Sequence, residues 1–216
     1  MFGRAIAAIL GRVDAARQSG GRVLVAIAGA PASGKSTLAG ELVAAIRARD
    51  GDGAASLVPM DGFHLDNADL DALGLRAVKG APKTFDAAGF VALVRCIRAN
   101  EGPVAYPLFD RALDRTIPDA GHLDAGTPIV VFEGNYLLLK DGAWSELAGL
   151  FDVTVMLSVP IAELRARLVD RWLTYGLSRD AAEARAEGND IPNARLVITN
   201  SASADLTLGS DADASA

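Results

Sequence analysis

A run of eight residues between an apolar segment and a helix-forming segment has the types and spacing of a phosphate-binding loop. It consists of Gly29, Ala30, Pro31, Ala32, Ser33, Gly34, Lys35 and Ser36, and it fits the pattern G-x-x-x-x-G-K-[ST]. Small residues in such a turn allow consecutive backbone N–H groups to point at phosphate oxygens, while the start of the following helix adds partial positive charge. The motif, with Thr37 directly after it, predicts a binding site for a nucleoside triphosphate.

Two side chains at the end of this loop have the chemistry that polyphosphates require. Lys35 can span the outer phosphates with its ammonium group, and the Ser36 hydroxyl can ligate the accompanying Mg²⁺. A glycine-rich turn with an incidental lysine is the structural alternative. The position of the motif, directly after a predicted strand and directly before a predicted helix, favours the phosphate site.

Two acidic residues close apolar runs where predicted strands end. Asp61 follows "LVPM", and Glu133 follows "IVVF". In phosphoryl transfer one carboxylate accepts the proton of the attacking hydroxyl, and we assign this role to Asp61. Glu133 can hold Mg²⁺ directly or through water, or help to align the nucleophile. In both cases the alternative is an acidic residue that only closes a turn onto the following glycine.

The elements that would position these residues alternate along the chain. Predicted strands are Val23–Ala28, Ala55–Met60, Ile129–Phe132, Val153–Leu157 and Asp205–Leu208. Predicted helices are Lys35–Arg49, Phe85–Ala99, Gly142–Leu150, Ile161–Tyr175 and Arg179–Ala186. This alternation predicts parallel pairing through right-handed crossovers, and therefore an α/β fold built as a three-layer αβα sandwich with ligands at the carboxyl ends of the strands.

The other segments predict loops and termini. Residues 61–82 and 102–128 are rich in Gly, Pro and Asp without strong periodicity, so we expect two long loops at the mouth of the cleft. Residues 2–18 place their apolar side chains on one helical face, which predicts a helix rather than a signal peptide. We expect residues 1–208 to form one domain and residues 209–216 to be disordered.

Composition narrows the classes of function. The 216 residues carry a formal net charge of −6 with a pI near 4.9, which disfavours a nucleic-acid partner because such proteins usually present a basic face. No apolar run approaches the ~20 residues of a membrane span. The single cysteine, Cys96, excludes an internal disulfide, and its helical apolar context predicts a small buried side chain. Together these features favour a cytoplasmic protein.

Five motifs occur in the order "GAPASGKST", "MDGFH", "GAPKTFD", "YPLFDR" and "FEGNYLLL". They resemble the uridine kinase and phosphoribulokinase-like branch of P-loop kinases, which includes the type I pantothenate kinases. The resemblance covers residues 23–208 and extends to bacterial proteins described as nucleoside/nucleotide kinases or fructose-transport kinases. It implies a P-loop NTPase fold, ATP as phosphoryl donor, Mg²⁺ as cofactor, and the functions given above for Lys35, Ser36, Asp61 and Glu133.

The resemblance also implies an acceptor pocket. His64, Tyr106 and Arg111 lie in its segments, although a histidine or tyrosine in a loop also serves for packing. In "YPLFDR" the tyrosine precedes the proline, unlike the Pro-x-Tyr pattern of the family, so the identity of the acceptor stays open. Thr84 and Asp86 of "GAPKTFD" suit a helix N-terminus as well as ligand contact.

Residues 161–190, which we name the lid segment, resemble the mobile lid of the family. Arg165, Arg167 and Arg171 lie near one face of its predicted helix. We expect Arg167 and Arg171 to stabilise charge on the transferred group. Arginines that only solvate an amphipathic helix are the alternative. Asn193, after "DIP", matches a position near the nucleotide.

The sequence therefore predicts a Mg²⁺- and ATP-dependent kinase whose acceptor is a hydroxyl of a small metabolite. The second hypothesis is a nucleotide-binding regulator that hydrolyses ATP slowly without an acceptor of its own, and the third is a nucleic-acid-remodelling ATPase. The long acceptor-like loops disfavour the second, and the acidic composition disfavours the third. Related enzymes are often dimers, so the resemblance is compatible with a homodimer.

Overall fold

Five parallel strands form the central sheet in residues 2–209, the part of the chain that the computed structural model describes. They are β1 (Val23–Gly29), β2 (Ala55–Pro59), β5 (Ile129–Gly134), β6 (Val153–Ser158) and β7 (Leu206–Gly209). Their spatial order is β2-β5-β1-β6-β7. Two further strands, β3 (Val104–Asp110) and β4 (Arg115–Leu123), form a separate antiparallel hairpin.

Helices cover both faces of the sheet. They are α1 (Gly3–Arg17), α2 (Lys35–Asp50), α3 (Asn67–Ala72), α4 (Ala87–Ala99), α5 (Ile161–Thr174), α6 (Arg179–Arg185) and α7 (Ile191–Asn200). Because successive side chains of a strand point to opposite faces, β1 contributes to two cores. Val25 and Ile27 pack with α1 and α2, whereas Leu24 and Ala26 pack with α4 and α7. The predicted three-layer parallel fold is confirmed.

The strand predictions and most helix predictions agree with the structure to within two residues. The helix predicted over Gly142–Leu150 is instead a short 3₁₀ helix, Gly142–Leu147. Helices α3 and α7 were not predicted. The predicted N-terminal helix is present as α1, with Ile9 and Val13 buried on its apolar face.

The loop predicted over residues 102–128 is wrong, because this segment forms the β3–β4 hairpin. The hairpin lacks the alternating pattern that would have revealed it. Along β3 only Tyr106 is buried, and the strand register shifts between Tyr106 and Leu108, where Pro107 interrupts the ladder. A hairpin with few buried side chains and a bulge leaves little periodicity in the sequence.

The prediction that Cys96 is buried is also wrong, since its side chain is exposed. The buried residues of α4 include Leu93, Val94 and Ile97, and Cys96 falls on the solvent side of the same helix. Residues 210–216, which include most of the predicted disordered tail, lie outside the described residues. Within residues 2–209, no helix combines the length and the hydropathy that a bilayer span requires.

Arg22 fixes the start of β1, the strand that leads into the phosphate-binding loop. Its side chain is 6% exposed and donates four hydrogen bonds to backbone carbonyls. Nε bonds Thr127 O at 2.9 Å, and Nη1 bonds Ile97 O at 3.0 Å. Nη2 bonds the carbonyls of Asp124 and Ala125. One guanidinium thus joins the end of α4 and the segment before β5 to the central strand.

Replacing Arg22 by methionine should lower the free energy of unfolding by about 3 kcal/mol, because it leaves several part-buried carbonyls without donors. Urea denaturation measures the change. Arg95→Met is the matched control, since Arg95 makes an exposed ion pair with Glu146 and should cost less than about 1 kcal/mol. Equal stability of the two variants would contradict the structural role of Arg22.

Candidate active site

The phosphate-binding loop joins β1 to α2 and requires glycine at both ends. A Cβ atom on Gly29 would lie 2.5 Å from Ser33 Oγ, and Gly34 has a φ of +94°, in the left-handed region. The first N–H groups of α2 have no partner within the helix, so an anion can accept from them. Of the residues of the predicted nucleotide-binding loop, Gly29, Ala30 and Ser33 are buried and do not line the cleft. The others line a cleft, namely Pro31, Ala32, Gly34, Lys35, Ser36 and Thr37.

Two charged groups, Lys35 of the loop and Glu133 of β5, influence each other electrostatically. Parallel pairing of β1 with β5 places Glu133 opposite Ile27, two residues before the loop begins. Glu133 is 5% exposed, and burial raises the pKa of its carboxyl group, although the nearby Lys35 lowers it. Burial conversely lowers the pKa of Lys35, against the effect of the Glu133 and Asp61 carboxylates. Each group therefore stabilises the charged form of the other.

The oxygen atoms beside Lys35 suit a hard divalent cation. Ser36 Oγ donates to Glu133 Oε2 at 2.9 Å, which brings a hydroxyl and a carboxylate together at the first turn of α2. Mg²⁺ is usually held in proteins by one or two carboxylates together with substrate phosphates. The residues present therefore fit the predicted magnesium site.

Asp61 lies in a 3₁₀ turn, Met60–Phe63, directly after β2, and its side chain faces the cleft. This turn is held tightly on two sides. A Cβ atom on Gly62 would lie 2.0 Å from Pro107 O of β3, and one on Gly134 would lie 2.5 Å from Met60 Cβ. The carboxylate Oδ2 of Asp61 is 2.6 Å from Nη2 of Arg111, which follows β3. The hairpin thus supplies both a support and an ion-pair partner for Asp61.

His64 forms part of an aromatic wall beside Asp61. Its ring lies between Phe85 and Phe109, with centroid distances of 4.0 Å and 4.6 Å. Nδ1 of His64 is 2.8 Å from Asp61 O. Burial lowers the pKa of His64, so a neutral ring is favoured at this position. The wall offers an apolar surface next to a carboxylate, which suits an acceptor with both carbon and hydroxyl groups.

One cleft of about 780 Å³ contains the phosphate-binding loop, Asp61, His64, Arg111, Arg171 and Asn193. Its size matches the range of small-molecule sites. The fold therefore brings most of the predicted site residues to one place at the carboxyl ends of the strands.

Known proteins provide an independent comparison. Uncharacterized protein YggC of Escherichia coli is 40% identical over 187 residues, which span 87% of this chain and 77% of that protein. A provisionally named uridine kinase of Schizosaccharomyces pombe is 38% identical over 87% of this chain and 83% of its own length. A provisionally assigned fructose transport system kinase from Silicibacter sp. TM1040 has a crystal structure that superposes with a TM-score of 0.87. It is 47% identical and covers 94% of this chain and 98% of its own. No protein-family model matches the chain.

The chain belongs to the uridine kinase-like branch of P-loop kinases. The family that its five motifs resemble and the P-loop NTPase fold are thereby confirmed. The protein is accordingly an ATP-dependent phosphotransferase.

Tyr106 does not line the cleft of this kinase, contrary to prediction. Its side chain is 5% exposed, and its hydroxyl donates to Leu57 O at 2.9 Å on the open edge of β2. Burial raises the pKa of the phenol. The ring also packs against Gly121, where an added Cβ would lie 2.2 Å from a ring carbon. Tyr106 therefore joins the hairpin to the sheet rather than contacting an acceptor.

The arginines of the lid segment have different surroundings. Arg171 lines the cleft, and its Nε is buried without a hydrogen-bond partner. Arg167 lies outside the cleft lining, forms an ion pair with Glu163, and donates to Ala32 O at 3.1 Å. Arg165 pairs with Glu187 at 2.6 Å. Arg171 therefore shares the cleft with the phosphate-binding loop, whereas Arg167 contacts the backbone of that loop from outside the cleft lining.

Other predicted positions have clear surroundings in the kinase. Asn193 lines the cleft, and its Nδ2 donates to Asn189 Oδ1 at 3.2 Å. Asp86 caps α4 by accepting from Gly89 N, so the capping alternative holds for this residue. Thr84 is buried and donates to Ala81 O.

Sequence reasoning missed several residues of the cleft lining: Arg76, Lys79, Phe85, Phe109, Asp114, Asn135, Trp172, Tyr175, Arg185 and Asp190. Asn135 could have been found, because it comes two residues after Glu133 at the end of β5. Arg76 and Lys79 lie in the segment predicted to reach the cleft mouth. Phe85 belongs to the "GAPKTFD" motif. The remaining residues depend on how the hairpin and the lid segment fold over the sheet, which no local pattern indicates.

Tyr106→Phe should lower the free energy of unfolding by about 1 kcal/mol, because Leu57 O loses its donor, while the affinity for ADP stays unchanged. Chemical denaturation and nucleotide titration measure the two quantities. A variant of full stability that had lost turnover would return Tyr106 to the acceptor site.

Proposed function

We propose that this kinase transfers the γ-phosphoryl group of ATP to a hydroxyl group of a small metabolite, with Asp61 as the general base. One observation carries the proposal. Asp61 and the phosphate-binding loop line a single cleft, and the negative charge of Asp61 acts to raise the pKa of Lys35. Phosphoryl transfer requires this arrangement, in which a carboxylate near the terminal phosphate accepts the proton of the attacking oxygen.

On the donor side, the loop amides and the Lys35 ammonium hold the β- and γ-phosphates. Ser36 and Glu133 would hold Mg²⁺, which neutralises charge on the phosphates when bound. Arg171 lies where its guanidinium can stabilise negative charge on the transferred group. We assign to Arg167 the positioning of the loop, through its contact with Ala32 O. Asn193 contributes to the nucleotide side of the cleft.

On the acceptor side, Arg111 pairs with Oδ2 of Asp61. We assign the other carboxylate oxygen, Oδ1, to the hydrogen bond from the acceptor hydroxyl. The aromatic wall of His64, Phe85 and Phe109 packs against the carbon skeleton of the acceptor. Glu133, buried close to both Lys35 and Asp61, also helps to align the reacting groups. This built acceptor end favours a metabolite kinase over a regulator without an acceptor. A homodimer, which related enzymes suggest, stays a prediction.

The proposal is tested by following γ-labelled phosphate from ATP into small-molecule products. The screen should contain nucleosides, sugars, pantothenate and glycerate. A labelled product from one class would support the proposal and name that class. Release of ADP without any labelled product would favour the nucleotide-binding regulator. Hydrolysis stimulated by nucleic acid would favour the remodelling ATPase.

Asp61→Asn should reduce turnover by about 10²-fold or more, because the amide cannot accept the acceptor proton, while ADP affinity stays nearly unchanged. Steady-state kinetics and ADP titration measure the two effects. Asp69→Asn is the matched control, since Asp69 is an exposed carboxylate of α3 outside the cleft lining. Full turnover in Asp61→Asn would remove Asp61 from the mechanism.

A further inference from the structure

Three cationic side chains converge on one turn of the cleft. Arg76 and Lys79 lie at either end of the turn that contains Ala77, and both line the cleft. Arg185 reaches the same turn from α6, donating from Nη1 to Ala77 O at 2.9 Å. Its guanidinium also lies 5.3 Å from the centroid of the Trp172 ring. We name Arg76, Lys79 and Arg185 the cationic turn cluster.

Lys79 connects the cluster to the part of the cleft that contains Asp61 and His64. Nζ of Lys79 is 5.0 Å from the centroid of Phe109, which forms part of the aromatic wall. Burial is the main cause of the lowered pKa of His64, and the positive charge of Lys79 lowers it further. His64 in turn contacts Asp61 O. The cluster therefore borders the place that the acceptor occupies.

Positive charge exceeds negative charge in this cleft, although the whole chain carries −6. Within the described residues, the lining holds six cationic side chains and three carboxylates. The cations are Lys35, Arg76, Lys79, Arg111, Arg171 and Arg185, and the carboxylates are Asp61, Asp114 and Asp190. A triphosphate would meet Lys35 and Arg171 at the loop. The positive charges of the cationic turn cluster have no matching negative charge in the nucleotide. A concave site whose charges are mostly positive concentrates anions.

The carboxylates near these cations do not fill this need. Arg76 pairs at 3.1 Å with Asp71, an exposed residue outside the cleft lining, and exposed ion pairs contribute little. Asp61 pairs with Arg111, and Asp190 accepts from Trp172 Nε1 at 2.6 Å. Asp114 pairs with Lys79 at 2.8 Å from an exposed position, and the Lys79 ammonium also donates to Asn67 Oδ1 at 2.7 Å and to Asp114 O at 3.1 Å. The side chain of Lys79 is only 11% exposed, so its charge is largely screened from bulk water. An anion that reaches Lys79 takes the place of the exposed Asp114 carboxylate as its charged partner.

We propose that the acceptor carries an anionic group, a phosphate monoester or a carboxylate, which binds to Arg76, Lys79 and Arg185 while its hydroxyl faces Asp61. This inference rests on the proposed kinase function. Guanidinium and ammonium groups are the usual partners of both anions, and a phosphate can accept from all three side chains at once.

The cluster also links the acceptor to the lid segment. Arg185 belongs to α6, and Asn189 Nδ2 of the same segment donates to Lys79 O at 2.9 Å. Arg185 to Ala77 O and Asn189 to Lys79 O already connect the lid segment to the turn that contains Ala77. An anion bound between Arg185 and Lys79 adds a third connection. Acceptor binding holds the lid segment over the cleft.

Anion binding tests the cluster without any transfer step. The kinase is first loaded with Mg²⁺ and the β,γ-imido analogue of ATP, which fills the phosphate-binding loop. Inorganic phosphate and acetate are then titrated separately by calorimetry. We expect one of them to bind, and Lys79→Met and Arg185→Gln to weaken that binding by about 10-fold or more, the effect of losing a charge-assisted hydrogen bond. Tighter binding of phosphate assigns a phosphate monoester, and tighter binding of acetate assigns a carboxylate.

Lys83→Met and Arg179→Gln are the matched controls, because they remove exposed charges from the same turn region and from the same helix outside the cleft lining. Both should bind the anion like the wild type. If Lys79→Met does not fold, Arg185→Gln alone decides. Absence of binding by either anion, or unchanged affinity in Arg185→Gln, would overturn the inference.

Transfer assays then separate this inference from the proposed function. Acceptors are compared in pairs that differ by one anionic group, as in fructose 6-phosphate against fructose, and pantothenate against panthenol, in which an alcohol replaces the carboxylate. The anionic member should have a kcat/KM about 10-fold or more above its neutral partner, and Arg185→Gln should narrow the ratio. Preference for the neutral members would overturn the inference and leave the kinase function standing. No transfer despite intact anion binding would contradict the proposed function alone.

Discussion

Lys35 and Glu133 constrain each other, and the rest of the site is arranged around that pair. A charge that is withdrawn from water is costly unless a partner compensates it. Burial opposes the charged form of both groups here, and each is offset by the other. Their proximity depends on the parallel register of β1 and β5, which sets Ile27 opposite Glu133. The phosphate-binding loop, the Ser36 hydroxyl and the carboxylate can therefore come together only when the centre of the sheet has formed.

Backbone carbonyls connect the lid segment to both ends of the cleft. Arg167 contacts Ala32 O of the phosphate-binding loop, and Arg185 contacts Ala77 O in the turn between Arg76 and Lys79. Arginine and asparagine side chains of one segment thus contact the donor and acceptor regions at once. Lids that close over both substrates exclude water from the transferred group. The contacts suggest a physical route by which occupancy of one end affects the other.

The strands of the central sheet and the position of the phosphate-binding loop could be predicted from the sequence, because both have local signals. Five apolar runs gave the strands of the central sheet, and a loop pattern between a strand and a helix gave the turn that brings Lys35 and Ser36 to the start of α2. The acceptor side was predicted less well. Tyr106 was assigned to it because of its motif, whereas the fold uses the ring to join a hairpin to an open strand edge.

Lys79 and Arg185 show why the other half of the cleft escaped prediction. They are 106 positions apart in the sequence, and neither lies in a pattern that indicates a ligand. Only the packing of α6 against the turn around Ala77 brings them together. Contacts of this kind depend on the whole fold, and a local spacing rule cannot report them.

The close approach of Gly62 to Pro107 has an implication for how acceptor specificity can change in evolution. Because the carbonyl of Pro107 in β3 lies where a side chain on Gly62 would have to be, the turn that bears Asp61 and the middle of β3 behave as one rigid piece. Exchange of the whole hairpin between relatives would have to keep the backbone at Pro107 in place for Asp61 to keep its position. Diversification is therefore least disruptive at the exposed tip residues Ala112 and Leu113, because Arg111 pairs with Asp61 and Asp114 pairs with Lys79.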